Sequence, residues 1–131
     1  CPVLRGLLVG GCNELGIDVH DGGTVVVVQG PRFSTRAESR WYSQMGWEVI
    51  NMTAYPEGYL ARELELCYAN ISMVTDHDVG ADGAEPVSHA QVLETFEGNL
   101  ANLRRLLFAA IPRIGAQPQD ICATALSGAH G

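Results

Sequence analysis

The 131-residue sequence has no long apolar run, little positive charge and no basic stripe. A membrane-spanning helix needs about 20 consecutive apolar residues, and no stretch approaches that length, so we expect no membrane segment. Eight Lys and Arg residues stand against fifteen Asp and Glu residues, giving a net charge of -7. This balance argues against binding to nucleic acid. We therefore expect a soluble, cytoplasmic protein.

Cysteine is also sparse, with four residues and no Cys-x-x-Cys pair: Cys1, Cys12, Cys67 and Cys122. Cysteine-based zinc sites are usually built from closely spaced pairs, so the spacing predicts no metal site and instead indicates reduced cytosolic thiols. The sequence lacks an initial Met and a basic-then-apolar leader. From this we expect no secretion signal and a chain that begins within a longer protein.

The residues that are present indicate a folded α/β domain. Hydrophobic residues make up 47% of the sequence and charged residues 18%, and the length fits one domain or part of one. Short apolar stretches predict three β-strands, over 24–29, 47–52 and 68–75. Two capping boxes, Thr35 with Glu38 and Ser88 with Gln91, and helical spacing predict helices over 3–15, 35–46, 56–66 and 88–111, the last ending before Pro112. Strand followed by helix, three times over, predicts a mainly parallel sheet flanked by helices.

The longest predicted helix carries an apolar stripe at helical spacing. We expect this stripe to be core packing rather than a ligand groove. Its members are Val92, Leu93, Phe96, Leu100, Leu103, Leu107, Ala110 and Ile111.

Polar and aromatic side chains follow each predicted strand, where ligands bind in parallel sheets. The first strand leads into 30–35 and the second into 51–53, although caps and turns would account for these residues equally well. After the third strand, Asp76 and Asp78 would point the same way in an extended chain and could share a metal or a base. A metal would need more donors than 76–78 supply. The residues alone therefore predict a polar site but no reaction.

Several blocks in the order 30–39, 49–53, 56–57, 60–63, 67–69 and 75–78 resemble methylthioadenosine phosphorylases, of an actinobacterial type. The resemblance covers residues 20 to 111, and several separate blocks with matching spacing are specific. It implies that residues 1–131 are the carboxy-terminal part of one purine nucleoside phosphorylase domain. Such enzymes are pentosyltransferases that cleave a purine nucleoside with inorganic phosphate as co-substrate and no cofactor, and the resemblance implies a trimer.

By this resemblance, four residues contact the purine. Phe33 would stack on the base, Asn51 would lie near it, and Asp76 and Asp78 would face N7 and the 6-amino group. Protonated Asp76 would act as general acid by stabilising charge on the departing purine, a role that favours a buried site. An Asp at position 76 goes with 6-aminopurines, whereas 6-oxopurine enzymes place Asn there.

The resemblance also assigns the sugar and phosphate contacts. Met52 would hold the ribose hydroxyls through its backbone, and Thr53 would contact phosphate. His89 corresponds to a His that meets the 5'-hydroxyl in 6-oxopurine relatives, so adenosine becomes a candidate substrate beside methylthioadenosine; alternatively His89 is an exposed, idle helix residue. The remaining residues expected in the 5' pocket are Val87, Val92 and Leu93.

One departure from the family pattern is an absence. The glycine-containing phosphate loop and the Arg-His pair of such enzymes belong to an amino-terminal half that these residues do not include, so we expect the chain to be inactive alone. Competing interpretations are a 6-oxopurine phosphorylase, a nucleosidase that uses water, a metal hydrolase built on 76–78, and a non-catalytic fragment that binds adenine nucleosides or assembles with partners.

Overall fold

A computed structural model of the chain describes residues 1–78, 88–115 and 121–129. These residues fall into two compact units. The strand unit comprises Gly22–Thr53 and Ser72–Ala101, and the helical unit comprises Cys1–Asp21, Ala54–Ile71 and Asn102–Gly131. Within the described ranges, none of the helices combines the length and apolarity needed to cross a bilayer.

The strand unit is built on two parallel strands, β1 (Val25–Val27) and β2 (Val49–Asn51). Val25 pairs with Val49 and Val27 with Asn51, and the N–H of Val28 extends the pairing to the carbonyl of Asn51 at 2.9 Å. β-Branched residues suit this pleated arrangement, and Val28, 3% exposed, is its most buried side chain. Both strands lie within the ranges predicted from sequence, but they are shorter.

The connection between these strands contains helix α2 (Arg36–Gln44). Thr35 caps it in the predicted capping box, and Gly46, at φ 70, follows its end. Buried Tyr42 packs with two tryptophans of the same unit, with ring centroids 5.7 Å from Trp41 and 5.9 Å from Trp47. The aromatic contacts fix the helix against the segment that leads into β2.

The helical unit contains α1 (Pro2–Leu15), α3 (Ala54–Glu63) and two 3₁₀ turns, Ile111–Arg113 and Ile121–Thr124. α1 ends at Gly16, which adopts the left-handed conformation at φ 64. The buried Gly11 of α1 lies against Leu106, because a Cβ added to the glycine would sit 3.0 Å from Leu106 Cδ1. The absence of a side chain at Gly11 therefore permits the close contact that buries Leu106 to 4% exposure.

Helix α4 (His89–Ala110) begins at the predicted Ser88 capping box. The N–H of Gln91 donates to Ser88 Oγ at 3.3 Å, and the N–H of Ser88 donates to Gln91 Oε1 at 2.9 Å. Residues 89–101 belong to the strand unit and residues 102–110 to the helical unit. The helix gives way to a 3₁₀ turn at Pro112, as expected for a residue that interrupts helical hydrogen bonds.

Two sequence predictions are wrong in part. Within the predicted stripe of α4, Ala110 is core at 2% exposure, whereas Leu93, Phe96 and Leu100 are between 41% and 49% exposed and Ile111 is 58% exposed. Residues 68–75 form no strand. A strand requires a neighbour to complete its ladder, and in the described part of the chain the sheet holds only β1 and β2.

The buried contact at Leu106 predicts an asymmetric response along α4. Leu106→Ala should lower the free energy of unfolding by about 2–5 kcal/mol, because it leaves a cavity beside Gly11. The matched change Leu100→Ala, on the exposed part of the same helix, should cost about 1 kcal/mol or less. Urea unfolding of both variants measures the difference, and equal losses would contradict the packing described here.

Candidate active site

The segment after β1 is held by a forked ion pair. The Arg32 guanidinium donates to both carboxylate oxygens of Glu38 at 2.8 Å and also to the carbonyl of Phe33 at 3.0 Å. Glu38 in turn accepts the N–H of Thr35 at 2.7 Å, so one carboxylate joins the segment to the start of α2. Arg32 and Glu38 thereby fix the backbone on both sides of position 33.

Phe33 itself is 86% exposed. A staple residue would pack against the helix that it precedes, so this exposure argues against the purely structural interpretation of Phe33. The neighbouring hydroxyls have local partners: Thr35 caps α2, and Ser34 Oγ lies 3.0 Å from the Oγ of buried Ser39. The structure thus presents an aromatic ring to solvent on an anchored backbone.

The same ion pair sets the charge of Glu38. Hydrogen bonds from Arg32 and then from the Thr35 backbone and hydroxyl lower the pKa of Glu38 from 4.5 to about 2. The pKa of Arg32 is raised, with the hydrogen bond to Glu38 as the largest cause. From sequence, Glu38 was predicted only to cap a helix, and its ion pair with Arg32 was missed. The available signal was a pair of opposite charges six residues apart, on either side of a helix start.

The segment after β2 meets the segment after β1. A Cβ added to Gly30 would lie 3.1 Å from Met52 Sδ, so this glycine of the segment after β1 packs directly against Met52. Asn51 Oδ1 accepts the N–H of Thr53 at 3.3 Å and closes a local turn. Met52 remains 40% exposed and Thr53 is exposed. The two strands are parallel, as expected, and the segments that follow them are in contact.

The third predicted segment is attached to α4. The side-chain amide of Asn99 donates to the carbonyl of Val74 at 2.8 Å, and Thr75 Oγ1 donates to Asp76 Oδ1 at 2.6 Å. Asp76 is exposed, whereas Asp78 is half-buried. The burial that a general acid would favour is therefore not present around Asp76 in this chain, and the anchoring role of Asn99 was not predicted.

The residues predicted for the 5' pocket lie at the start of α4, with one exception. His89 is the first residue of the helix and is exposed, Val92 is half-buried, and Leu93 is 49% exposed. Spacings of three and four residues place them on one face of the helix. Val87 lies outside the described residues. All the described candidates, from Phe33 to Leu93, belong to the strand unit.

Comparison with known proteins assigns the chain to a family. The family model described as the phosphorylase superfamily matches residues 1–112. The chain belongs to the phosphorylase superfamily. It is 52% identical over 114 residues to the S-methyl-5'-thioadenosine phosphorylase of Mycobacterium tuberculosis, an alignment that covers 87% of this chain and 41% of that protein. It is 47% identical over 122 residues to the purine nucleoside phosphorylase of Streptomyces coelicolor, covering 93% and 44% respectively.

The fold agrees with this membership. A crystal structure of a double mutant of adenosine/methylthioadenosine phosphorylase from Schistosoma mansoni, in complex with adenine, superposes with a TM-score of 0.82 at 34% identity. The match covers 95% of this chain and 50% of that one. The predicted family and the phosphorylase-type α/β fold are confirmed. The chain spans about half the length or less of these relatives, and the roles assigned to individual site residues stay predictions.

The Glu38 ion pair predicts a pH-dependent stability. Because the folded-state pKa of Glu38 lies below its usual value, ionised Glu38 stabilises the fold fully above pH 4.5, and the contribution is lost as the pH falls towards about 2. Glu38→Gln should therefore flatten the dependence of the urea midpoint on pH across that window.

Glu94→Gln, which changes an exposed carboxylate of α4 in the same unit, is the matched control. Its profile should follow that of the parent chain. A Glu38→Gln profile as steep as the parent's would show that the Arg32 pair contributes no pH dependence.

Proposed function

We propose that the chain forms the base and ribose side of an enzyme that cleaves 6-aminopurine nucleosides with inorganic phosphate. The substrates are 5'-methylthioadenosine and adenosine, and the products are adenine and a ribose 1-phosphate derivative. The observation that carries this proposal is the meeting of two strand ends at Gly30 and Met52, beside the exposed ring of Phe33. The names of the related phosphorylases and the adenine complex of one of them support it.

Recognition of the purine rests on stacking. An exposed aromatic ring on a fixed backbone offers a flat apolar surface. A purine stacked on it removes from water the contacting face of each ring. Phe33 meets this requirement, because Arg32 holds its carbonyl and the ring is 86% exposed. Asn51 and Asp78 would complete recognition of the base from the adjacent segments.

Cleavage of the glycosidic bond leaves positive charge on the ribose and negative charge on the departing purine. A protonated Asp76 hydrogen bonded to N7 would stabilise the purine as general acid. Thr75 Oγ1 already donates to this carboxylate at 2.6 Å, which orients the group. Bound nucleoside and the remainder of the enzyme would supply the burial that Asp76 lacks here.

Ribose and phosphate would bind at the turn after β2. The N–H of Thr53 donates to Asn51 Oδ1, so the exposed hydroxyl is the group of Thr53 that would contact phosphate. The backbone of Met52 would hold the ribose hydroxyls. One hydroxyl does not make a phosphate site, and we propose that an amino-terminal half supplies the phosphate loop and that a homotrimer is the working form. The chain alone is then inactive.

A second candidate is phosphorolysis of 6-oxopurine nucleosides, and His89 favours it. The histidine stands at the exposed start of α4, on one face with Val92 and Leu93, where it would meet a 5'-hydroxyl. Asp76 opposes this candidate, because the carboxyl oxygen that carries no proton can accept a hydrogen bond from a 6-amino group but has nothing to donate to a 6-oxo group. A metal hydrolase built on 76–78 is disfavoured, because a metal site needs more donors than these three residues supply.

The proposal is tested by release of adenine from methylthioadenosine and from adenosine, with and without phosphate. The assay compares this chain with a version extended at the amino terminus to the length of its relatives. Activity of the extended protein alone, and only with phosphate, is the expected result. Release without phosphate would identify a nucleosidase, and no release by either protein would leave a non-catalytic binding or assembly fragment.

Asp76→Asn in the extended protein tests base selectivity. Loss of the general acid should lower kcat/KM for methylthioadenosine by about 10²–10⁴-fold, and activity towards 6-oxopurine nucleosides should rise relative to it. Asp18→Asn makes the same chemical change at an exposed position of the helical unit and should leave both activities unchanged. Unaltered adenine release in the Asp76 variant would remove Asp76 from the mechanism.

A further inference from the structure

Three of the four cysteines converge in the helical unit. The Sγ atoms of Cys1, Cys67 and Cys122 all lie within 4.8 Å of one another, although the residues are more than 50 positions apart in sequence. Cys122 is buried, while Cys1 and Cys67 are half-buried. None of the three cysteines is exposed, and none belongs to the candidate active site.

Two hydrogen bonds join the three cysteine-bearing segments. The backbone nitrogen of Cys1 donates to the carbonyl of Tyr68 at 2.7 Å, which joins the start of α1 to the segment that carries Cys67. The N–H of Leu126 donates to Glu65 Oε1 at 3.1 Å, which joins the segment after Cys122 to the same region. The convergence therefore follows from two anchors rather than from the thiols alone.

The Cys1 sulfur has a defined position at the start of α1. Its Sγ accepts the N–H of Leu4 at 3.4 Å and caps the amino terminus of that helix. The cap therefore places one of the three sulfur atoms of the cluster.

The distances suit a metal. Tetrahedral Zn²⁺ with Zn–S bonds of about 2.3 Å separates its sulfur ligands by about 3.8 Å. Sulfur atoms within 4.8 Å of one another can reach that separation by small rotations about their side-chain bonds. Three sulfur ligands leave one coordination position, which a water molecule would fill.

We propose that Cys1, Cys67 and Cys122 form a thiolate site for a thiophilic metal ion, with Zn²⁺ as the ion to test. Binding would release the thiol protons to solvent and involves no change of oxidation state. The site would cross-link α1, the segment after α3 and the 3₁₀ turn Ile121–Thr124. Since all three ligands lie in the helical unit and the nucleoside candidates lie in the strand unit, the metal would be structural.

The experiment uses the purified, reduced chain titrated with Zn²⁺ against a chromophoric chelator, with bound metal counted by mass spectrometry. One Zn²⁺ per chain is expected. Loss of a group that only hydrogen-bonds to a metal ligand weakens metal binding by about tenfold or more. Cys67→Ser and Cys122→Ser each remove a ligand, so each should weaken Zn²⁺ binding by at least that factor. Cys12→Ser replaces a buried thiol of the same unit outside the cluster and should bind as the parent chain does.

Substitution of Co²⁺ in the parent chain gives a readout that needs no variant to fold. Sulfur-to-cobalt charge-transfer absorption with intense visible bands is expected from a tetrahedral thiolate site. Absence of these bands, metal binding well below one ion per chain, or equal weakening in Cys12→Ser would overturn the proposal. A disulfide between two cluster cysteines in the reduced preparation, found by mass spectrometry, would overturn it as well.

Discussion

The parallel pairing of β1 with β2 is the constraint on which the candidate site depends. Because Val27 is in register with Asn51, the chain leaves both strands at the same edge of the sheet. The pairing then continues for one more hydrogen bond, from Val28 to Asn51, before the two segments diverge. A shift of one residue would turn every side chain to the opposite face and separate Gly30 from Met52. The register of the two strands therefore determines which candidate site residues lie close together in this unit.

Glu38 links that register to Phe33, the candidate residue for contact with the base. The same carboxylate completes the cap of α2 and receives the Arg32 fork, so helix formation and placement of Phe33 depend on one charged group. The pair is exposed, and exposed ion pairs usually contribute little to stability. Its larger effect is geometric. It restricts the backbone around Phe33, whose exposed ring makes little packing contact that could do so. Order in this segment would lower the entropic cost of binding a flat ligand.

The structural features that depend on local contacts were predicted correctly from the sequence. The capping boxes at Thr35 and Ser88, the break at Pro112 and the β-branched strands involve contacts within a few residues, and each was identified. Prediction from the sequence failed where the outcome depends on a distant partner. Residues 68–75 have strand composition but no neighbouring ladder in the described chain, and the stripe of α4 is apolar whether or not another surface covers it. The cysteine cluster escaped notice for the same reason, since spacing rules detect ligand pairs and not convergence of separate segments.

The exposed apolar side chains of α4 could be covered by bound substrate or by other protein surface. Leu93, Phe96 and Leu100 lie on the strand unit's portion of the helix and remain over 40% exposed. Full burial of such a side chain is worth about 1.5–3 kcal/mol, so a partner surface that covered all three would gain several kcal/mol. On the proposed function, bound nucleoside would cover Leu93 in the 5' pocket, whereas Phe96 and Leu100 have no assigned ligand contact. Their exposure would therefore be relieved by protein surface and not by substrate.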